Sequence, residues 1–166
     1  LILAINEIEG IERIRLGSLE PRIITEEFAK SVSELPKICP HFHLSLQSGC
    51  DETLRRMNRR YTTEEYYEKC QLLRKYFENP ALTTDVIVGF PGETEAEFEE
   101  TLDAIRAARC DQLFTFIYSP RKGTPAAEMP DVATKQEKSE WFKELLAVQE
   151  EISAGVSANE LHKKCR

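Results

Sequence analysis

Four short segments of this 166-residue chain concentrate groups that can hold a polar ligand. Gly17-Ser18-Leu19-Glu20-Pro21 offers a hydroxyl and a carboxylate, and Leu46-Gln47-Ser48-Gly49 an amide and a hydroxyl. Asp85-Val86-Ile87-Val88-Gly89-Phe90-Pro91-Gly92-Glu93 offers the Asp85 carboxylate and the backbone donors of a Gly-Pro turn. Tyr118-Ser119-Pro120-Arg121-Lys122-Gly123-Thr124 offers two cations. Singly, each is ordinary turn chemistry: Ser18 could be a turn residue and Gln47 a satisfied amide. Together they would line one mouth with hydroxyl, amide, carboxylate and backbone donors, as a small polar ligand requires.

Asp85 precedes an apolar Val-Ile-Val run in a strand expected to be buried on both faces. A carboxylate there needs a partner, either within the protein or on a ligand. Arg55, Arg56, Arg59 and Arg60 crowd one short stretch, and Arg121 and Lys122 add to the same mouth. These arginines read as a solvated helix face near a favourable C-terminus, as a bidentate carboxylate clamp, or as phosphate contacts to nucleic acid. His41 and His43 share one face of a strand, opposite Phe42, but no third ligand stands at metal-site spacing. The five cysteines, Cys39, Cys50, Cys70, Cys110 and Cys165, include no Cys-x-x-Cys pair. They read as plain buried or surface thiols of a reducing, cytoplasmic setting.

The elements that must position these groups follow from periodicity and capping. Leu1 to Ile8 reads as the tail of a helix ended by Gly10. Ile11 to Leu16 alternates as a strand. Thr25 caps a helix reaching about Leu35, and His41 to Leu46 is the next strand. Asp51 is expected to cap a short helix through Met57, and Thr62 with Glu65 forms a capping box for a helix ending near Phe77. Ala81 to Val88 is a third strand, and Thr94 with Glu97 starts a helix reaching Ala108. Cys110 to Tyr118 is a fourth strand. Thr134 and Glu137 open an amphipathic helix with Trp141, Leu145, Val148 and Ile152 at helical spacing. The order β-α-β-α-β-α-β-α implies α/β architecture: parallel strands with helices packed over them, either an open sheet or part of a TIM-like barrel. In both, ligands gather at the C-terminal ends of the strands.

Composition agrees with one folded domain, at 41% hydrophobic and 31% charged residues. No apolar run approaches the ~20 residues of a membrane-spanning helix, and the start at Leu1 reads as a boundary within a longer chain rather than a signal peptide. The formal charge of −7 argues weakly against nucleic-acid binding, although clustering of cations matters more than their sum.

Read together, the exits resemble a known family. Arg-Leu-Gly-Ser-Leu-Glu-Pro (15–21), His-Leu-Ser-Leu-Gln-Ser-Gly-Cys-Asp (43–51), Arg-Arg-Met-Asn-Arg-Arg-Tyr-Thr (55–62), Thr-Asp-Val-Ile-Val-Gly-Phe-Pro-Gly-Glu-Thr (84–94) and Tyr-Ser-Pro-Arg-Lys-Gly-Thr-Pro-Ala-Ala (118–127) closely resemble the radical S-adenosylmethionine (SAM) methylthiotransferases. The resemblance runs from about Ile11 to Ile152. It implies a transferase that uses SAM and 4Fe-4S clusters to place a methylthio group on an adenosine beside the tRNA anticodon, or on a ribosomal protein. Ser-Leu-Glu-Pro and Gln-Ser-Gly-Cys-Asp look most like the branch acting on threonylcarbamoyladenosine, which is the branch expected. Phe-Thr-Phe-Ile-Tyr-Ser-Pro-Arg (114–121) looks more like the isopentenyladenosine branch, and the ribosomal-protein branch fits worst.

The resemblance also implies roles. Val86 to Gly89 would meet the adenine of SAM largely through backbone, with Asp85 among the cofactor residues. Gln47 and Ser48 would lie near the ribose or methionyl part. Ser18 and Glu20 would face the methionine amino and carboxylate groups, and Arg59 would pair with the carboxylate. Arg55, Arg56, Arg60, Arg121 and Lys122 would meet tRNA. The family's cluster motif, Cys-x-x-x-Cys-x-x-Cys, does not occur here; it is expected on a strand before Leu1, with a second cluster in a preceding domain and an RNA-binding TRAM domain after Arg166. Residues 1–166 would then be the C-terminal portion of the radical SAM core domain, inactive by themselves. The edge of the first strand would be covered by its own helices, by a second copy or by a crystal neighbour, allowing self-association. A non-catalytic half-barrel that binds tRNA or a partner chain, or another radical SAM reaction, are the alternatives.

Overall fold

The computed structural model describes residues 1–160, with side chains through Gly155; Cys165 lies outside the described residues. After a short helix α1 (Ile2–Asn6), four strands alternate with helices: β1 (Ile14–Leu19), α2 (Glu26–Ser33), β2 (Ile38–Leu44), α3 (Asp51–Arg56), α4 (Thr63–Tyr76), β3 (Ala81–Val88), α5 (Glu95–Ala108), β4 (Gln112–Ile117) and α6 (Lys135–Glu160). The sheet runs β1-β2-β3-β4 with every neighbouring pair parallel, a partial α/β barrel of four strands.

The boundaries that moved have local causes. β1 opens at Ile14, not Ile11, because Ile14 N–H finds the Lys37 carbonyl at 2.7 Å just before β2 begins. β2 starts earlier than expected and includes Pro40, which donates no ladder bond. The register jumps there, from Ile14↔Ile38 to Leu16↔Phe42, and pairing to β3 starts only at His41; an irregularity of this kind is where a strand tolerates proline. β2 stops at Leu44 because Leu46 N–H bonds instead to the Thr84 hydroxyl at 2.9 Å. All three capping boxes form, at Thr62/Glu65, Thr94/Glu97 and Thr134/Glu137. Asp51 is not a cap: it is the first helical residue of α3, and its carboxylate accepts from Thr63 N–H at 2.8 Å, tying the starts of α3 and α4 together.

One face of the sheet makes the core. Phe42, Leu44, Leu82, Val86, Val88 and Leu113 meet Tyr66, Leu73, Phe98, Leu102, Ile105 and Trp141 from the helices, all buried. The opposite face carries Arg15, His41, His43, Thr83, Asp85, Phe114 and Phe116 around a cavity of about 530 Å³. The expectation that Asp85 lies in a strand buried on both sides is therefore corrected. Among the described residues β1 pairs with β2 alone, and Arg15, Gly17 and Ser18 on it are exposed. Among the described residues no helix is long and apolar enough to cross a membrane.

Candidate functional site

The exits of β2, β3 and β4 meet in a cavity of about 680 Å³ whose walls include Gln47, Arg59, Asp85, Phe116, Tyr118 and Arg121. Four residues singled out from sequence, Gln47, Arg59, Asp85 and Arg121, thus converge on one mouth.

Gln47 is fixed by its backbone. Its N–H donates to the Asp85 carbonyl at 2.8 Å and its carbonyl accepts from Ile87 at 2.9 Å, so it bridges to β3 beyond the end of β2. Its φ of +72° marks a sharp left-handed turn. Tyr61 braces the same turn, donating to the carbonyls of Ser45 (2.8 Å) and Leu46 (3.0 Å). Burial pushes the Tyr61 phenol up to about 12, so it stays a donor. Gly49 is required next: a Cβ there would lie 2.5 Å from Thr101 Cα. Ser48 faces away from the mouth. It is fully buried, with its hydroxyl 3.4 Å from that of Thr101 and accepting from Cys50 N–H at 3.2 Å.

The β3 exit is shaped by a residue the sequence reading did not single out. Glu93 is 1% exposed and one carboxylate oxygen accepts from both Gly89 N–H (2.5 Å) and Phe90 N–H (3.2 Å). Burial raises it to about 7, against the pull of those two N–H groups. Its signal was a glutamate closing a Gly-Phe-Pro-Gly turn, which must satisfy backbone donors that the turn leaves free. Gly89 sits at φ +71°, where a Cβ would fall 2.5 Å from Lys138 Cδ. Lys138 is itself buried and paired with Asp131. The Val86 side chain points into the core, and Ile87 N–H, the Val88 carbonyl and Gly89 N–H are already bonded within the protein.

The arginines divide. Arg56 is half-buried and spends its guanidinium on Thr53 (2.8 Å) and Glu97 (2.8 Å), which places it in the frame that joins α3 to α5. Arg55 pairs with Glu52 on the surface. Arg59 reaches the mouth because Asn58, at φ +57°, ends α3 in a left-handed turn closed by Arg59 N–H on the Leu54 carbonyl at 2.9 Å. Arg60, Arg121 and Lys122 are exposed and make no ion pair among the described residues. Ser18 and Glu20 are also exposed; Ser18 borders the cavity on the open face of the sheet instead of the mouth.

On that open face, His43 is held from both sides: Nδ1 lies 3.0 Å from the Thr83 hydroxyl and Nε2 lies 3.1 Å from Asp85 Oδ2. Arg15 hydrogen-bonds to His41. Among the described residues no group of three or more His, Cys, Asp or Glu side chains could hold a metal ion.

Residues 1–105 match the family described as the Radical SAM superfamily. The chain belongs to the radical SAM superfamily. It is 45% identical, over 98% of its own length, to a protein of Alkaliphilus oremlandii named tRNA-2-methylthio-N(6)-dimethylallyladenosine synthase, and covers 35% of that relative. It is 47% identical over 92% of its length to a Mycobacterium marinum protein of the same name, covering 29% of it. The chain thus spans about a third of the curated relatives it matches. These names carry no support for the threonylcarbamoyladenosine branch favoured from Ser-Leu-Glu-Pro and Gln-Ser-Gly-Cys-Asp, and that expectation is corrected. The segment Phe114 to Arg121, in β4 and its exit, resembles the isopentenyladenosine branch, in line with these names.

The fold is also that of solved radical SAM enzymes. Coproporphyrinogen III oxidase from Escherichia coli matches over 84% of this chain and 32% of its own with a TM-score of 0.70 at 21% identity. A radical SAM methyltransferase from Kitasatospora setae, solved with cobalamin and a [4Fe-4S] cluster, matches over 70% of this chain and 23% of its own with a TM-score of 0.58 at 20% identity.

Proposed function

We propose that this chain is the C-terminal portion of the core of a cytoplasmic tRNA methylthiotransferase that converts N6-dimethylallyladenosine to its 2-methylthio form. The observation that carries the reading is identity of about 45% sustained over nearly the whole chain to enzymes named for that reaction. The convergence of Gln47, Arg59 and Asp85 on one mouth supports it.

SAM suits that mouth. Arg59, which makes no ion pair among the described residues, lines it as a cation for a carboxylate, and Gln47 presents an amide fixed by its own backbone. The residues described here do not suit a 4Fe-4S cluster, so the cluster would be held by other parts of the complete enzyme. Bound together, SAM and cluster supply the one-electron chemistry that a C–H bond on adenine demands and that no side chain offers. This chain's own residues orient and enclose. Glu93 and Lys138 set the loop of Gly89 and Phe90, Tyr61 sets the turn of Gln47, and Arg56 locks α3 to α5 so that Arg59 faces the mouth. Arg60, Arg121 and Lys122 supply exposed positive charge for the tRNA backbone, with Arg55 beside them once released from Glu52. Nucleoside mass spectrometry of tRNA from cells with and without the complete gene tests the reading.

A further inference from the structure

We infer that Asp85, held by His43, is the specificity-determining acceptor for the target base rather than a contact to SAM. The inference rests on the function proposed above and names the site of its substrate. Asp85 and Phe116 stand on the wall shared by the two cavities, the mouth and the open face of the sheet. Its Oδ2 is taken by His43 Nε2 at 3.1 Å. That bond places a proton on Nε2, and Nδ1 hydrogen-bonds with the Thr83 hydroxyl, 3.0 Å away. The pair of bonds locks the imidazole, and the imidazole locks the carboxylate. Oδ1 has no partner among the described residues and is left to accept from a ligand.

The surroundings set the class of that ligand. Phe114 and Phe116 are 42% and 53% exposed on the same face, and the Phe114 ring leans on His43 with centroids 5.7 Å apart. Exposed aromatic faces beside a fixed acceptor suit a flat heteroaromatic base that carries an N–H donor. An adenine with a dimethylallyl group on N6 keeps one N6–H for Asp85 and brings an apolar branch to Phe114 and Phe116. A threonylcarbamoyl branch would instead bring a carboxylate toward Asp85, a like charge at close range. Of the cations bordering the two cavities, Arg15 lies against the His41 ring, with Nε and Nη2 3.1 and 2.9 Å from its nitrogens, only one of which can accept, while Arg59 and Arg121 line the mouth. With its fixed acceptor and exposed aromatic rings, the open face suits the dimethylallyl substrate.

The test uses the complete protein and three anticodon stem-loop RNAs that differ only at N6. One carries the dimethylallyl amine, one carries the same branch through an ether oxygen in place of N–H, and one carries threonylcarbamoyl. RNA affinities are measured at one salt concentration, with SAM affinity alongside. The protein is expected to bind the amine roughly tenfold or more tighter than the ether. In Asp85→Asn the single amide oxygen stays with His43 and an NH2 group faces the base, so the amine loses that advantage while SAM binding is retained. Phe116→Ser is expected to weaken the amine RNA by about tenfold. Equal affinity for amine and ether in the unaltered protein would overturn the inference, whether or not Asp85→Asn folds. So would an Asp85→Asn protein that loses SAM affinity yet keeps the amine-to-ether ratio. Methylthio transfer to tRNA with either of those results would sink this inference alone, whereas no transfer at all would sink the proposed function.

Discussion

Glu93 closes the β3 exit as a buried carboxylate whose partners among the described residues are two backbone N–H groups of one loop. Its folded pKa, raised to about 7, lies above its ordinary value of 4.5. The folded chain therefore binds the proton more tightly than the unfolded chain does. Its contribution is fully favourable below about pH 4.5 and is lost as pH rises through 7. Glu93→Gln keeps an oxygen for Gly89 and Phe90 without the buried charge. Chemical denaturation from pH 5 to 8 should show that this variant loses less stability across the range than the unaltered protein; parallel curves would refute the assignment. Other residues were legible to different degrees. Arg59 and Gln47 were placed at the mouth by type and position. Ser48 and Arg56 were not, because sequence cannot say that a hydroxyl will turn toward Thr101 or a guanidinium toward Glu97. His43 was legible as sharing a face with His41, but its partners sit on β3 and required the register His43↔Thr83.

Among the elements, helix starts were the most legible because capping is local. Each Thr-x-x-Glu run formed the reciprocal pair of bonds it advertised. Strand ends were less so, since β1 and β2 begin where a partner strand offers hydrogen bonds rather than where their own alternation begins. The turn from β2 into α3 rests on close approach to α5, and Gly49 is its tightest point. Gly49→Ala would drive a methyl group into Thr101 backbone at 2.5 Å. The expected cost is about 1–3 kcal/mol, by overpacking. A loss under ~0.5 kcal/mol, the range of a neutral surface change, would mean that the turn relaxes freely.

At the scale of the whole molecule, alternation of strands and helices was enough to give the parallel α/β layer, while its one-sidedness was not. β3 was expected to be buried on both faces around its Val-Ile-Val run, yet its odd residues Thr83, Asp85 and Ile87 face the open side. That open side and the β1 edge leave Phe114, Phe116 and unpaired backbone accessible. Expressed alone, the 166-residue chain is therefore expected to self-associate through the β1 edge; sedimentation at micromolar concentration should show dimers or larger species, and a strict monomer would contradict it. The central claim concerns the tRNA. If the complete gene encodes the proposed enzyme, tRNA nucleosides from cells lacking it will show N6-dimethylallyladenosine in place of its 2-methylthio derivative. An unchanged level of the methylthio nucleoside, with no second enzyme of this kind in those cells, would contradict the account.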